Sequence, residues 1–585
     1  MIKTFDVVIV GAGGAGLRAA VEIPKEYSCA VISKVYPPRS HTGTAQGGVC
    51  AALGNMEEDS WENHAFDTVK GSDYLGDQDS IEVMCKDAIR AIIELEHMGM
   101  PFSRNEKGQI AQRKFGGHTK PADKNDPYTK RVPVMRSCYS ADRTGHVMLQ
   151  TLFENSLKNQ VTFFSEYFAT DLIVEDGICK GVVAMDIATS EITVFQAKAV
   201  LFATGGYGRV FRITSNAHAG TGDGMALVYR AGLPLEDMEF FQFHPTGLWK
   251  LGILVSEAAR GEGGILKNKD GERFMERYAP TVKDLAPRDM VSRAIITEIR
   301  EGRGVKGSDG TDYVYLDLTH LGKEVIDEKL PEITGFARTY LGVEPTTDPI
   351  PIQPTAHYAM GGIPTNVNCE VLKNENGEIV KGLYAAGECA CVSVHGGNRL
   401  GTNSLLDLVV FGRRGGKAIA DFLKEAKHHE ISESAADRSR EIISSIMDNQ
   451  GTEKISNLRT ELQNNMMELC GIFRNEEDLR KMIDILEDLR RRAKNVFLQD
   501  KGKVFNTELI GALELHNLLD SSEATVYSAY ARLESRGAHT REDFPIRDDS
   551  NWMKHTFAYL RENERPELRY KPVVITNYQP MERKY

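Results

Sequence analysis

A single histidine lies in a loop of prolines, glycines and small residues near the start of the chain. Residues 37–54 read PPRSHTGTAQGGVCAALG, and His41 stands between Ser40 and Thr42. Prolines followed by glycines and small polar residues are typical of a loop. A loop that only turns the chain needs no imidazole, which can act as a nucleophile or a hydrogen-bonding group. His41 therefore marks a candidate functional site.

A glycine-rich turn forms the second candidate. Gly11, Gly13 and Gly16 fit the pattern G-x-G-x-x-G between an apolar stretch, VVIV, and a helical stretch, LRAAVEI. Such glycines permit a tight turn in which backbone N–H groups and a helix N-terminus face a pyrophosphate. The pattern predicts a dinucleotide site without choosing NAD or FAD, and a glycine-rich turn with no ligand is the alternative.

The second strand pattern departs from the usual dinucleotide site. CAVISK ends in Ser33 and Lys34, where such folds usually carry an acid for the ribose 2′-hydroxyl. Either Ser33 does that work or an acid comes from elsewhere. Glu388, in AAGECA, is a candidate because it follows a strand whose end should approach the same cofactor.

The elements that position these residues are strands that end in small residues. AVLFATGGYG (199–208) and GLYAAGECA (382–390) resemble the first strand in this respect. Doubly wound sheets bind ligands at the carboxyl ends of their strands. Because these strands lie up to nearly 400 residues apart, we predict an α/β fold whose Rossmann-like nucleotide-binding domain is discontinuous in sequence.

Composition changes along the chain predict the other domains. A stretch rich in glycine and charge interrupts the nucleotide-binding domain, and from about residue 430 apolar residues recur at helical spacing. We predict nucleotide-binding segments at 1–244 and 357–429, an inserted α+β capping domain at 245–356, a helical domain at 430–545 and a small C-terminal domain at 546–585.

Bulk properties exclude several classes of protein. The chain has 585 residues and a net charge of −12, which argues against a general nucleic-acid binder or a basic membrane-binding patch. No stretch is long and apolar enough to span a membrane. A strand pattern that begins at Phe5 leaves no room for a leader. Nine cysteines without C-x-x-C predict reduced thiols and no metal site, since Cys389 and Cys391 alone are too few ligands.

Several longer motifs, in order along the chain, carry a family resemblance. RSHTGTAQGG resembles the flavoprotein subunit of succinate dehydrogenase and quinol:fumarate reductase, the complex II family. The resemblance continues through FQFHPTGL (241–248), SEAARGEGG (256–264), ERYAPTVKDLAPRDMV (276–291), QPTAHYAMGGIPTN (353–366), HGGNRLGTNSLLDLVVFGR (395–413) and ESRGAHTREDFPIRDDSNW (534–552). It covers nearly the whole chain and implies an FAD-binding domain, a capping domain, a helical domain and a C-terminal domain.

The resemblance implies that FAD is joined covalently through its 8α-methyl group to His41. The FAD-binding residues expected from the motifs are Gly11, Ala12, Gly13, Gly14, Ala15, Gly16, Ser33, Lys34, Ser40, His41, Thr42, Ala45, Gln46, Gly47, Gly48, Asp223, Glu388, Ser404 and Leu405. Noncovalent FAD beside an ordinary loop histidine is the alternative.

A small dicarboxylate is the substrate that the resemblance implies. It assigns His244, Ser256 and Glu257 to the capping side and His357 and Arg399 to the flavin side of the substrate. Arginine suits this work because its planar fork matches a carboxylate. Ser256 stands where the family usually has threonine, and the hydroxyl is kept.

Arg288, in LAPRDM, is the acid/base that the resemblance implies. Free arginine has a pKa above 12, so it can serve only if it is buried, hydrogen-bonded and connected to a relay. Glu257 and Arg260 are three residues apart and would share a helix face. An Arg260–Glu257–Arg288 chain could then carry the proton, although each residue taken alone could form a structural salt bridge.

The predicted activity is oxidation of succinate to fumarate, with fumarate reduction as the reverse reaction. The resemblance implies a separate iron–sulfur subunit, a membrane anchor that binds quinone, a flavin assembly factor and a place on the cytoplasmic face of a prokaryotic inner membrane. A relative with noncovalent FAD, such as L-aspartate oxidase or a flavocytochrome, is one alternative. A non-catalytic scaffold is another, and the intact site residues argue against it.

Overall fold

The structure is a computed structural model and describes residues 1–123, 130–308, 310–561 and 564–583. The first part of the chain contains the strand and helix on either side of the glycine loop and the elements that follow them. They are β1 (Ile2–Val10), α1 (Gly14–Glu22), β2 (Cys29–Ser33), β3 (Val49–Cys50), α2 (Trp61–Gly71), α3 (Gln78–His97), β4 (Gln112–Pro121), β5 (Arg131–Cys138), α4 (Thr144–Lys158), β6 (Thr162–Ser165), β7 (Tyr167–Glu175), β8 (Ile178–Asp186), β9 (Ile192–Phe202), α5 (Asp223–Arg230) and β10 (Leu235–Glu236).

The middle of the chain forms a second group of elements. They are β11 (Phe241–Leu248), α6 (Ala258–Gly261), β12 (Ile265–Lys267), α7 (Met275–Tyr278), α8 (Arg288–Arg300), β13 (Val314–Asp317), α9 (Lys323–Lys329), α10 (Pro331–Phe336), a π-helix (Ala337–Leu341) and β14 (Ile350–Ala359). β11, β14, β13 and β12 pair in that order in one antiparallel sheet. The predicted domain boundaries at 244 and 356 fall inside β11 and β14, so we propose that the capping segment begins and ends with these two strands.

The chain then returns to the first sheet and ends in helices and a short β-unit. The elements are β15 (Ile363–Pro364), β16 (Glu370–Leu372), β17 (Ile379–Ala385), β18 (Ala390–Cys391), α11 (Asn403–Leu423), α12 (Asp437–Asp448), α13 (Ile455–Leu469), β19 (Phe473–Arg474), α14 (Glu476–Ala493), α15 (Thr507–Ala531), β20 (Thr540–Arg541), α16 (Asp549–Trp552), β21 (Lys554–Tyr559) and β22 (Glu567–Pro572). Among the described residues, no helix combines the length and apolar character needed to cross a bilayer.

The central sheet brings distant strands together at one edge. β1 lies between β2 and β9, parallel to both, and β9 is also parallel to β17. Residues 7–10 of β1 are buried, as expected for a strand in the middle of a parallel sheet covered on both faces. The carboxyl ends of β1, β2, β9 and β17 therefore meet at one edge, which confirms the predicted discontinuous Rossmann-like domain.

Helix patterns in the last third agree with the sequence. α14 has Asn475 as its N-cap, acidic residues in its first turn and arginines in its last, which suits the helix dipole. α15 is buried along most of its length, because it runs through the centre of the helical bundle. All nine cysteines are buried and unpaired.

Candidate active site

A cavity of about 600 Å³ lies at the edge where β1, β9 and β17 end. Its walls come from the glycine loop, the loop around His41, the end of β17 and the capping strands β11 and β14. Nearly all of the predicted site residues line it. Three do not: Gly16, Glu257 and Arg260. The motifs that the sequence separates by hundreds of residues thus converge on one space.

The glycine loop has the geometry of a phosphate-binding turn. Gly11 has φ +113°, and a Cβ there would lie 2.1 Å from the carbonyl oxygen of Ala203. The N–H of Gly14, at the start of α1, donates to Thr42 Oγ1 over 3.0 Å. A Cβ at Gly16 would lie 2.0 Å from the carbonyl oxygen of Gly11, so the absence of a side chain at Gly16 lets α1 pack against the loop. Gly16 therefore has a packing role and does not line the cavity.

Acidic side chains do reach the end of β2, although they come from distant parts of the sequence. Lys34 Nζ lies 2.8 Å from Asp223 Oδ2 and 2.8 Å from Glu514 Oε1. Burial opposes the charge on Lys34, but the two carboxylates together raise its pKa. Burial likewise opposes the charge on Asp223, and Lys34 lowers the pKa of that carboxyl. Asp223 lines the cavity at this end.

Glu388 lies at the end of β17, in a different setting. Its Oε1 accepts a hydrogen bond from the N–H of Ala359 over 3.1 Å, and burial raises its pKa to about 7. Of the two acids that line the cavity near a strand end, only Asp223 is joined to the end of β2.

These residues fit a dinucleotide such as FAD. A glycine turn and a helix N-terminus suit a pyrophosphate, and a carboxylate near the end of β2 suits a ribose. Gln46 Oε1 is buried beside the cavity and has no hydrogen-bond partner in the described part of the chain, as expected for a group that meets a ligand.

His41 begins a short 3-10 helix, His41–Thr44, at the cavity wall. Its Nδ1 accepts from the N–H of Ala217 over 3.3 Å and lies 3.1 Å from Thr44 Oγ1. Its Nε2 lies 3.5 Å from Asn216 Nδ2. Burial lowers the pKa of His41 to about 4. The imidazole is therefore neutral at pH 7 and keeps the lone pair that a nucleophile requires.

His244 and His357 face one another across β11 and β14, with ring centres 5.1 Å apart. Burial and the neighbouring Arg288 lower both pKa values well below 6.5. Nδ1 of His244 accepts the N–H of Thr246 over 3.2 Å, so the proton of the neutral ring is on Nε2. Nε2 is buried without a partner among the described residues and is available to donate to a carboxylate.

Two buried arginines are held together by one glutamine. Gln242 Oε1 accepts from Arg288 Nη1 over 3.0 Å and from Arg399 Nη2 over 3.1 Å. Its Nε2 donates to Asn398 Oδ1 and to the carbonyl of Arg399. Gln242 thus fixes two guanidinium groups that would otherwise repel one another. Sequence reasoning missed it, yet it is two residues before His244 on β11 and so shares its strand face.

Arg399 also stacks on an aromatic ring. Its guanidinium lies 4.4 Å from the ring centre of Tyr358, whose hydroxyl lies 3.2 Å from Asp407 Oδ2 and 3.3 Å from His395 Nε2. Burial, with Arg288 nearby, lowers the pKa of Arg399 to about 9. Tyr358 was not among the predicted site residues.

Arg288, Glu257 and Arg260 form the predicted chain of charges. Arg288 Nε donates to Glu257 Oε2 over 2.7 Å, and Arg260 Nη2 lies 3.6 Å from the same oxygen. Arg260 also donates to the carbonyl of Asp284. Because Glu257 contacts Arg288 and does not line the large cavity, it is not placed as a direct ligand of a substrate there.

A second cavity, of about 400 Å³, adjoins the same arginines. Arg288 and Arg399 line both cavities, and Glu257 lines the smaller one. Ser256 lines only the larger of the two. The arginine pair therefore separates the two spaces.

Taken together, the large cavity can bind a dinucleotide and a small dianion side by side. Neutral imidazoles and buried guanidinium groups surround the dianion position, and a buried carboxylate supports the arginine that could hold a proton. Charge-assisted hydrogen bonds from such groups are the strong, directional contacts that a carboxylate requires.

Comparison with known families matches both halves of the chain. A model described as FAD binding domain matches residues 6–405, and one described as Fumarate reductase flavoprotein C-term matches residues 459–585. The chain is 52% identical over 578 residues to the succinate dehydrogenase flavoprotein subunit of Rickettsia conorii, covering 98% of this chain and 96% of that protein.

Two further relatives extend the comparison. The chain is 42% identical to the fumarate reductase flavoprotein subunit of Mycobacterium tuberculosis, with both chains covered over their full length. Among solved structures, the E. coli quinol fumarate reductase FrdA superposes with a TM-score of 0.92 at 41% identity, covering 100% of this chain and 99% of that one.

Proposed function

We propose a function on the premise that this chain belongs to the family of succinate dehydrogenase and fumarate reductase flavoprotein subunits. The chain is an oxidoreductase that interconverts succinate and fumarate with FAD as its redox cofactor. The observation that carries this proposal is the convergence of His244, His357, Arg288 and Arg399 on the cavity that the glycine loop and His41 also line.

We assign the cofactor contacts as follows. FAD, when bound in the cavity, supplies an acceptor for a hydride and its two electrons. The Gly11–Gly14 turn would hold the pyrophosphate, and Asp223 rather than Glu388 would hold the adenosine ribose, because Asp223 is joined to the end of β2 through Lys34. The neutral His41 imidazole is proposed to carry the covalent bond to the 8α carbon.

The substrate is proposed to be held by donors at both of its carboxylates. His244 Nε2–H and the Ser256 hydroxyl bind from the capping side, while His357 and Arg399 bind from the other. Glu257 is proposed to act on the substrate through Arg288, because its Oε2 accepts a hydrogen bond from Arg288 Nε. Fixing both ends orients the central C–H bonds toward the flavin position.

Proton transfer is proposed to occur at Arg288. Two of its nitrogens are occupied by Glu257 and Gln242, so Nη2 remains for the substrate. A group that is both fixed and linked to a buried carboxylate can lose and regain a proton without moving. Arg260, whose Nη2 lies 3.6 Å from Glu257 Oε2, is proposed as the outer member of the relay.

Partners and location are proposed from the relatives. An iron–sulfur subunit and a membrane anchor that binds quinone would carry electrons onward, on the cytoplasmic face of a prokaryotic inner membrane, and a flavin assembly factor would assist attachment. The E. coli protein that this chain resembles is a quinol fumarate reductase.

Two measurements on the purified holoprotein test the proposal. Dye-linked succinate oxidation and fumarate reduction should both occur, and Arg288→Ala should lower both by about 10²-fold or more while bound flavin is retained. Turnover that persists in this variant would refute the assignment of Arg288. A denaturing gel viewed for flavin fluorescence tests the covalent bond, since His41→Ala should give a dark band.

A further inference from the structure

The tautomer of His357 decides what this ring can do for a carboxylate. With its proton on Nε2 and its lone pair on Nδ1, the ring can donate a hydrogen bond from Nε2 to an anion in the cavity that it lines. With the proton on Nδ1, Nε2 is a lone pair that repels the anion. Burial and the neighbouring arginines keep the ring neutral, so it holds one proton. The hydrogen bond that one ring nitrogen makes then sets the state of the other.

The hydrogen-bond partner of His357 Nδ1 is the hydroxyl of Ser215. Ser215 Oγ lies 2.8 Å from His357 Nδ1 and 3.4 Å from the carbonyl oxygen of Ala356. That carbonyl oxygen already accepts from the N–H of Ser215 and from the hydroxyl of Thr214, each over 2.9 Å. A carbonyl oxygen has two lone pairs, and these two donors use both. The Ser215 hydroxyl therefore donates to Nδ1, and the proton of the neutral His357 ring is on Nε2.

His244 reaches the same state by a different route. Its Nδ1 accepts the N–H of Thr246, which is a backbone donor. The corresponding donor to His357 is a side-chain hydroxyl, which a substitution can remove. Both rings then carry a proton on Nε2, and their centres lie 5.1 Å apart. Two N–H donors suit a dicarboxylate, because a carboxylate only accepts hydrogen bonds.

The chain around Ser215 is held by contacts that do not involve its hydroxyl. Asn216 Nδ2 donates to the carbonyl oxygen of His357 over 2.7 Å. The N–H of Ala217 donates to His41 Nδ1 over 3.3 Å. Removing the hydroxyl therefore leaves this segment in place, and the flavin content of a variant reports on its contact with His41.

We propose that Ser215 is a positioning residue of the substrate site, whose hydroxyl donates to His357 Nδ1 and thereby makes His357 Nε2 a donor to one carboxylate of the substrate. The proposal rests on the proposed function, because it concerns the dicarboxylate of that reaction. Ser215 acts through His357 and needs no contact with the substrate. Without the hydroxyl, the ring is free to adopt the tautomer that presents a lone pair to the anion.

The test uses the holoprotein and malonate, a dicarboxylate whose single central carbon cannot form a C=C bond between the two carboxylates. Titration followed through the flavin absorbance gives the malonate Kd. Ser215→Ala should raise this Kd about tenfold, because one donor to the anion is lost. Ser439→Ala removes a buried hydroxyl on α12 that lies 2.8 Å from Thr170 Oγ1 and lines neither cavity, so it should leave the Kd unchanged.

Two further variants separate the hydroxyl of Ser215 from a general effect on packing. Ser215→Thr keeps the hydroxyl and should bind malonate within about twofold of the wild type. His357→Leu removes the ring through which Ser215 acts. Adding Ser215→Ala to His357→Leu should then change the malonate Kd by less than about twofold, because residues that act through one contact are not additive.

The outcomes distinguish this proposal from the proposed function. If the wild type turns over succinate and binds malonate, but Ser215→Ala binds malonate with the wild-type Kd, the role of Ser215 is refuted and the function stands. The role is also refuted if Ser215→Thr is as weak as Ser215→Ala, or if Ser215→Ala costs as much in His357→Leu as in the wild type. If the wild type neither turns over succinate nor binds malonate, both proposals fail. Equal flavin content in all variants shows that they are folded.

Discussion

Single residues in the site act through contacts that fix their charge state. His244 and His357 are neutral because burial and nearby arginines oppose a third positive charge. Arg288 and Arg399 remain close together because Gln242 accepts a hydrogen bond from each. The site therefore combines charged and neutral donors whose positions are set before a ligand arrives, which is the condition for strong electrostatic catalysis.

We predict that replacing Gln242 with leucine lowers succinate turnover by tenfold or more. The two guanidinium groups would lose their shared acceptor and move apart. Gln353→Leu, a buried glutamine on the same capping sheet that lines neither cavity, is the control. Flavin content should be equal in both variants. Equal turnover in the two variants would show that Gln242 has no part in arranging the arginines.

The neutral histidines also predict a pH dependence. An imidazole with a lowered pKa is already uncharged through the neutral range, so neither site histidine should titrate between pH 6 and 8. Glu388 lines the same cavity and has a pKa raised to about 7 by burial, so the measurement is made in Glu388→Gln. Malonate affinity in that variant, corrected for the ionisation of malonate itself, should be flat there. Tighter binding on acidification, with a midpoint near pH 6.5, would mean that a site histidine gains a proton in this range.

At the scale of elements, the site depends on close contact between a turn and the helix that follows it. α1 approaches the glycine loop so closely that Gly16 has no room for a side chain. The loop around His41 is held to the same turn, because Thr42 accepts the N–H of Gly14 and Ser40 donates to the carbonyl of Ala12. The pyrophosphate turn and the His41 loop are therefore one unit.

We predict that Gly16→Ala disrupts this unit. A Cβ placed 2.0 Å from the Gly11 carbonyl must displace α1, at a cost of about 1–3 kcal/mol of folding free energy. The measurement is thermal unfolding together with FAD content, and both should fall. Gly335→Ala in α10, where a Cβ meets nothing within 4 Å, should leave FAD content unchanged and should not lower the unfolding temperature. An unaltered FAD content in Gly16→Ala would contradict this account of the turn.

At the scale of the whole molecule, the sequence predicted the domain and the site residues that local motifs indicate. It did not predict contacts between residues that are far apart in the chain. Strand patterns that end in glycine predicted the discontinuous domain, and ordered family motifs predicted the residues that line the cavity. No local pattern could join Lys34 to Glu514, because 480 residues separate them. His64 is likewise joined to a distant residue, since its buried Nε2 lies 2.9 Å from Asn403 Oδ1.

The second cavity is likewise a product of the whole fold. Its lining comes from α2, β4, the start of β5, the capping segment and the loop before α11, and no local sequence pattern predicts that these stretches meet. Gln242 and Tyr358 were missed for a related reason: their neighbours His244 and His357 carry the recognisable chemistry, while they supply only position.

The most direct test of the central claim is the reductive half-reaction of the purified holoprotein without oxygen, partners or dyes. Adding succinate should bleach the absorbance of the oxidised flavin, and adding fumarate to the reduced protein should restore it. Arg288→Ala should slow both changes by about 10²-fold or more. A flavin that succinate does not bleach and fumarate does not restore, in a protein that retains its full FAD, would contradict the claim that this site interconverts the two acids.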